Sequence, residues 1–151
     1  MVYIGIDPGK TGGWAITHED GHVDVYPWND EIFIACMQGL HMANPSGEGI
    51  ICALEKVGSM PKQGVSSTFR FGEEYGLIQG VLKALNIPYQ TIPPQTWKKE
   101  FSLLHQDKSK SVETAKRLFP GIKFLPTERC RKPSDGMCES ALLMLYARRK
   151  L

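Results

Sequence analysis

A chain of 151 residues with 42% hydrophobic and 23% charged side chains has the composition of one globular domain with a real core, which excludes a disordered or fibrous polymer. The net charge of +2 hides a division: residues 1–55 carry eight acids against Lys10 alone (−7), whereas residues 56–151 carry seventeen bases against eight acids (+9). An acidic centre on a basic frame points to an anionic partner such as nucleic acid.

The longest apolar run, Ala141-Leu142-Leu143-Met144-Leu145, falls well short of the roughly 20 residues that span a membrane, and no leader pattern opens the chain. A soluble, cytoplasmic protein with no membrane partner is expected. Cys36, Cys52, Cys130 and Cys138 lack C-x-x-C spacing and are expected to be reduced thiols, not a zinc or redox centre.

Three short strands are predicted first, at residues 2–7, about 13–18 and about 22–27, parted by Gly12-Gly13 and by Asp20-Gly21, so that they form an antiparallel meander. Asn29-Asp30-Glu31 suits a helix start, and Ile32, Phe33, Cys36, Met37 and Leu40 continue it as a helical stripe through about residue 43. A strand follows at 50–55. The stretch 56–67, rich in Gly, Ser and Lys, reads as a long functional loop directly beyond Glu55.

Residues 69–86 are predicted to be helical, with Gly72, Gly76 and Gly80 on one face. Each glycine costs about 1 kcal/mol of helix stability against alanine, so close approach of another backbone is expected there, either the helix's own sheet or a second protomer. Ile87 to Ile92 gives a fifth strand, Pro93-Pro94 opens a helical turn through Trp97, Lys108–Phe119 forms a basic helix, and Pro133-Ser134 caps a last helix reaching about Arg149. Trp14, Trp28 and Trp97 are expected in the core. His18, His22, His41 and His105 show no spacing of a metal cage or triad. The whole, residues 1–151, reads as one α/β domain.

Four acids then carry the chemistry. Asp7 and Glu55 each end an apolar strand, and neighbouring parallel strands would bring both to one ion. Asp135 and Glu139, four apart, share one face of the last helix. Clustered carboxylates repel and push a pKa upward unless a cation sits among them, and an all-oxygen set favours Mg²⁺ or Mn²⁺ over zinc. Two such ions about 4 Å apart support phosphodiester hydrolysis without a protein nucleophile.

The same residues carry a family resemblance. Ile4-Gly5-Ile6-Asp7-Pro8-Gly9 with Thr11-Gly12-Gly13-Trp14-Ala15, Leu54-Glu55-Lys56-Val57, Arg70-Phe71-Gly72 with Gly76 and Gly80, and Asp135 with Ala141-Leu142 resemble the RuvC family of Holliday junction resolvases over nearly the whole chain, most of all its short phage and prophage members. The resemblance implies an RNase H-like fold with a mixed five-stranded sheet and a homodimer. It also implies Mg²⁺-dependent paired nicks in four-way or other branched DNA, in the service of recombination and repair. Asp7, Glu55 and Asp135 match the family's metal-binding acids; Glu139 is the fourth, although bacterial members place their last two acids three residues apart. Where those members carry an aromatic wedge, this chain has Gly58. In the regions that the family uses on phosphates stand Lys98, Lys99, Lys108 and Lys110, with Lys108 assigned to the scissile phosphate. Lys56, Lys62, Arg70, Arg129, Arg131 and Lys132 are further candidates on the DNA side.

Two other classes fit parts of the chain. Asp7-x-Gly9-x-Thr11-Gly12 also resembles the phosphate loop of actin-like ATPases and sugar kinases, which need two such domains around a nucleotide. A catalytically silent RNase H-like DNA-binding module would bind without cutting.

Overall fold

In the computed structural model, which describes residues 1–59 and 61–151, five strands form one mixed sheet in the order β3-β2-β1-β4-β5. β1 (Val2–Asp7), β2 (Gly13–Thr17) and β3 (Val23–Pro27) are the antiparallel meander. β4 (Ile50–Glu55) and β5 (Tyr89–Ile92) run parallel to β1, each reached by a helical crossover: α1 (Asp30–Ala43) before β4, and α2 (Val65–Ala84) before β5. Then come α3 (Pro94–Glu100), α4 (Lys108–Leu118) and α5 (Asp135–Lys150).

Alternation along the strands divides the interior into two apolar clusters. Ile4 and Ile6 of β1, Trp14 and Ile16 of β2, and Cys52 and Leu54 of β4 pack with Phe33 and Met37 of α1 and Ile78 and Leu82 of α2. Ala15 and Ala53 belong to the other cluster, with Trp97 of α3, Ala115 of α4 and Met137, Ala141 and Leu142 of α5. On that second face a row of small residues crosses three strands, because Gly5 pairs with both Ala15 and Ala53. Such a row lets α5 lie almost on the backbone: a Cβ at Gly5 would overlap the Ser140 carbonyl oxygen and the Met144 amide. α5 is buried on nearly every side from Gly136 to Ala147, the polar Glu139 and Ser140 included, because it is the central helix of this face.

The helix starts follow capping chemistry. The Ser134 side chain accepts from the Met137 amide at 3.2 Å, and Asp107 accepts from the Ser109 amide at 3.0 Å, fixing where α5 and α4 begin. All four cysteines are free. Among the described residues no helix is long and apolar enough to cross a membrane.

Two expectations need correction. α2 begins at Val65, not at residue 69, so the polar connection after β4 covers only 56–64, and Met60 within it lies outside the described residues. Ser66, Ser67 and Thr68 sit in the first helical turn, where the Thr68 hydroxyl donates to the Gly64 carbonyl at 2.9 Å. Their polarity marks a helix start, and composition alone disguised it as loop. Second, Gly72, Gly76 and Gly80 do not pack on the sheet. They are exposed, and a Cβ at any of them would meet nothing among the described residues within 4 Å. The core face of α2 is instead carried by Ile78 and Leu82.

Candidate active site

Asp7 closes β1, and Glu55 closes the adjacent parallel strand. The register Gly5↔Ala53 and Ile6↔Leu54 carries the pair one step further to Asp7 beside Glu55, on the face where α5 lies. The turn after Asp7 is held from outside the sheet: Gly9, at φ +125°, a conformation that side chains disfavour, donates its amide to Glu74 Oε1 of α2 at 3.1 Å. Gly12 folds back so tightly that a Cβ there would strike the Asp7 carbonyl oxygen.

α5 completes the cluster. Its first turn rests on the β1–β2 turn, where a Cβ at Gly136 would overlap the Thr11 carbonyl, and its second turn seats on Gly5. This docking drives Glu139 toward the strand ends, and carboxylate oxygens of Asp7, Glu55 and Glu139 all lie within 4.8 Å of one another. Asp135, one turn earlier, falls outside that trio. Its side chain is 45% exposed against 11% for Glu139, and one of its oxygens stands 4.0 Å from Lys108 Nζ. It nevertheless lines, with Asp7 and Glu139, a cavity of about 390 Å³.

The three clustered acids share one electrostatic condition. Burial raises Asp7 well above the usual carboxylate range, and Glu55 and Glu139 raise it further, against a smaller pull from Lys108 and Lys98. Burial likewise raises Glu139, opposed chiefly by Lys98 and Lys108. Burial raises Glu55, opposed first by a hydrogen bond from Trp97. Acids pushed this way bind protons when no cation is near, so the donor set fits a hard divalent ion that would relieve the repulsion.

α3 and α4 form the wall around the trio. Trp97, fully buried, donates Nε1–H to Glu55 Oε2 at 2.7 Å. Lys98 places Nζ 3.8 Å from Glu139 Oε1 and 5.3 Å from the centre of the Trp97 ring. Ser111, buried on α4, donates to Glu139 at 3.4 Å. Trp97 lies in the core as expected, but its contact with Glu55 was not foreseen, and Ser111 drew no expectation. The available signal was position, since Trp97 directly precedes Lys98 in a Pro-initiated helix immediately after a strand parallel to the Glu55 strand.

The basic candidates separate. Lys108 and Lys132 line the cavity with the acids, and Lys10, which sequence reasoning passed over, joins them. Lys110 is paired with Glu113 at 3.2 Å on the α4 surface. Arg131 lines a different depression with Lys116 and Lys123. Lys56 and Lys62 lie exposed on the 56–64 connection, Arg70 on α2, Lys99 on α3 and Arg129 before α5. Thus Lys98, Lys108 and Lys132 are brought to the acids or the cavity they line, while the others lie on the surrounding surface.

The sequence matches no protein-family model and no curated protein. Among solved structures, Thermus thermophilus RuvC superposes with a TM-score of 0.60 at 18% identity, over 99% of this chain and 96% of that one. The T. thermophilus RuvC in complex with Holliday junction substrate gives 0.60 at 17% identity, over 99% and 97%. The chain therefore has the RuvC-type, RNase H-like fold, with the mixed five-stranded sheet that its sequence led us to expect.

Proposed function

We propose that the chain is a metal-dependent endonuclease of the phage or prophage RuvC type, acting on branched DNA and chiefly on four-way junctions. The observation that carries this reading is the meeting of Asp7, Glu55 and Glu139 at the ends of two parallel strands, in a fold shared with a protein solved on Holliday junction substrate. Asp7, Glu55 and Glu139 hold divalent ions, Mg²⁺ or Mn²⁺, with Asp135 approaching from the cavity side. Two ions bound there would supply an activated water and charge stabilisation for the attacking and departing oxygens of a phosphodiester. Lys108 engages the scissile phosphate, and Lys98 balances the buried charge of Glu139. Lys132 and Lys10 hold flanking phosphates, with Lys56, Lys62, Arg70, Lys99, Lys110 and Arg131 giving weaker contacts further out.

Paired nicks require two active sites, and we assign the second to a homodimer formed through α2. The exposed Gly72, Gly76 and Gly80, with Phe69 66% exposed beside them, support that assignment, because none of the described residues covers them.

A synthetic four-way junction tests the reading, with binding measured in Ca²⁺ and cleavage in Mg²⁺ for the unsubstituted protein and for Glu55→Gln. Both proteins should bind, and only the unsubstituted one should cut. Equal cutting would remove Glu55 from the mechanism. Binding without cutting by the unsubstituted protein would make it a silent DNA-binding module, and ATP turnover would move it to the ATPase class.

A further inference from the structure

Glutamate reaches a metal through a side chain whose terminal torsion has a broad, two-fold preference, so an unrestrained carboxylate at the end of β4 would offer its oxygens in many orientations. Trp97 removes that freedom. Its ring is fully buried, and its only hydrogen-bond donor is directed at Glu55 Oε2 at 2.7 Å, across 42 residues of sequence. A buried indole N–H needs a partner, and a backbone carbonyl would serve a purely structural ring. This core does not demand even that: the Nε1 of Trp14 is buried with no partner among the described residues. The carboxyl partner of Trp97 is therefore not explained by burial alone.

On the reading of the site given above, we propose that Trp97 is a positioning residue, whose N–H holds one oxygen of Glu55 and so presents the carboxylate in a fixed orientation to a divalent ion shared with Asp7 and Glu139. The neighbouring residue of the same helix acts on the other glutamate, since Lys98 Nζ lies 3.8 Å from Glu139 Oε1. One turn of α3 thus steadies both. Hydrogen-bond partners of metal ligands typically alter metal affinity or activity by about 10–100-fold when removed.

The test replaces only the donor. Substituting β-(3-benzothienyl)alanine at position 97 keeps the bicyclic shape and puts sulfur where the N–H stood. Mn²⁺ binding is measured by calorimetry on the DNA-free protein, and thermal unfolding is measured in chelator. We expect the Mn²⁺ dissociation constant to rise about tenfold with the unfolding midpoint unchanged. A lowered midpoint with unchanged Mn²⁺ affinity would reduce Trp97 to core packing. Should the substituted chain not fold, the ¹⁵N–¹H resonance of the Trp97 indole in the unsubstituted protein decides. It should move during a Mg²⁺ titration and saturate, while the Trp14 indole stays still; a stationary Trp97 signal overturns the proposal. The two readings fail differently. Mn²⁺ binding lost in Asp7→Asn but untouched by the isostere removes only the role of Trp97, whereas an unsubstituted protein that binds no Mn²⁺ removes the nuclease reading and this role with it.

Discussion

Two sets of glycines lie on opposite sides of the sheet and do opposite things. Gly5 and Gly136 stand where any side chain would collide with backbone, and their absence of bulk is what lets α5 sink onto β1 and carry Glu139 to the strand ends. Gly72, Gly76 and Gly80 stand in open space on α2. The first set builds the site inside one chain. The second weakens a helix with no return among the described residues, which is why the proposed function gives its use to a partner copy.

The sharpest way to break this comparison is at the acid that α5 delivers. Glu139→Gln should lower the cleavage rate by about 100-fold or more, the upper end of what even an outer partner of a metal ligand is worth. Asp135→Asn, outside the trio and half-exposed, should cost less than Glu139→Gln on the same junction. The reverse ranking would mean that α5 presents its first turn, not its second, to the metal.

Gly5→Ala attacks the same docking from the strand side. The added methyl would strike the Ser140 carbonyl and the Met144 amide, backbone atoms that cannot rotate away. Overpacking of this kind costs roughly 1–3 kcal/mol, read as a lowered unfolding midpoint. Because α5 must rise off the sheet, Mn²⁺ affinity should fall with it. Gly76→Ala is the matching change on the other side. In the isolated protomer it should raise helix stability by about 1 kcal/mol, seen in thermal unfolding at low concentration, while sedimentation should show a weaker dimer. A stabilised protomer with an unchanged dimer would release the α2 face from the assignment.

The acids make a smaller, pH-dependent mark. Asp7, Glu55 and Glu139 hold their protons more tightly folded than unfolded, so their stabilising contribution is complete at pH below the ordinary carboxylate range and is lost as pH rises through their raised folded values. In chelator, Asp7→Asn should therefore gain on the unsubstituted protein as the solution goes from mildly acid to mildly alkaline, by about 2–4 °C for each kcal/mol of relieved burial and repulsion. Mn²⁺ should reverse the order, because only the unsubstituted protein has all three ligands. Metal binding itself should strengthen with rising pH, since the ion displaces protons.

The strands and the antiparallel meander were legible because their cues are local. An apolar run closed by Pro8-Gly9, the Asp20-Gly21 turn, and two strands ending in acids required only period and punctuation. Asp7 and Glu55 were legible for the same reason. What stayed hidden depended on contacts between elements. Nothing in the composition of α5 says that its second turn, carrying Glu139, goes deeper than its first, because that depth is set by the Ala15–Gly5–Ala53 row on three other strands. The partner of the Trp97 indole lies 42 residues away, and an aromatic residue in a short helix reads as core until its N–H is located. Glycines at four-residue spacing predicted a close approach that the described residues do not make, because spacing reports room on a helix face and not what fills it.

The least effect should come from single phosphate contacts, and two adjacent residues make the finest test of the surface. Arg131 and Lys132 are neighbours in sequence, both exposed, with the same charge, and composition treats them alike. Lys132 lines the cavity that holds Asp7, Asp135 and Glu139, while Arg131 lines a depression with Lys116 and Lys123. If DNA enters by the acid cavity, Lys132→Ala should reduce the slope of log binding against log salt by about 1, the loss of one phosphate contact, as Lys10→Ala should. Arg131→Ala should change it less. Because such contacts are made by backbone phosphates, the loss in Lys132→Ala should be equal across junctions of different sequence. An equal change in slope from Arg131 and Lys132 would spread the DNA path over both depressions, and the cavity would no longer define where the strand lies.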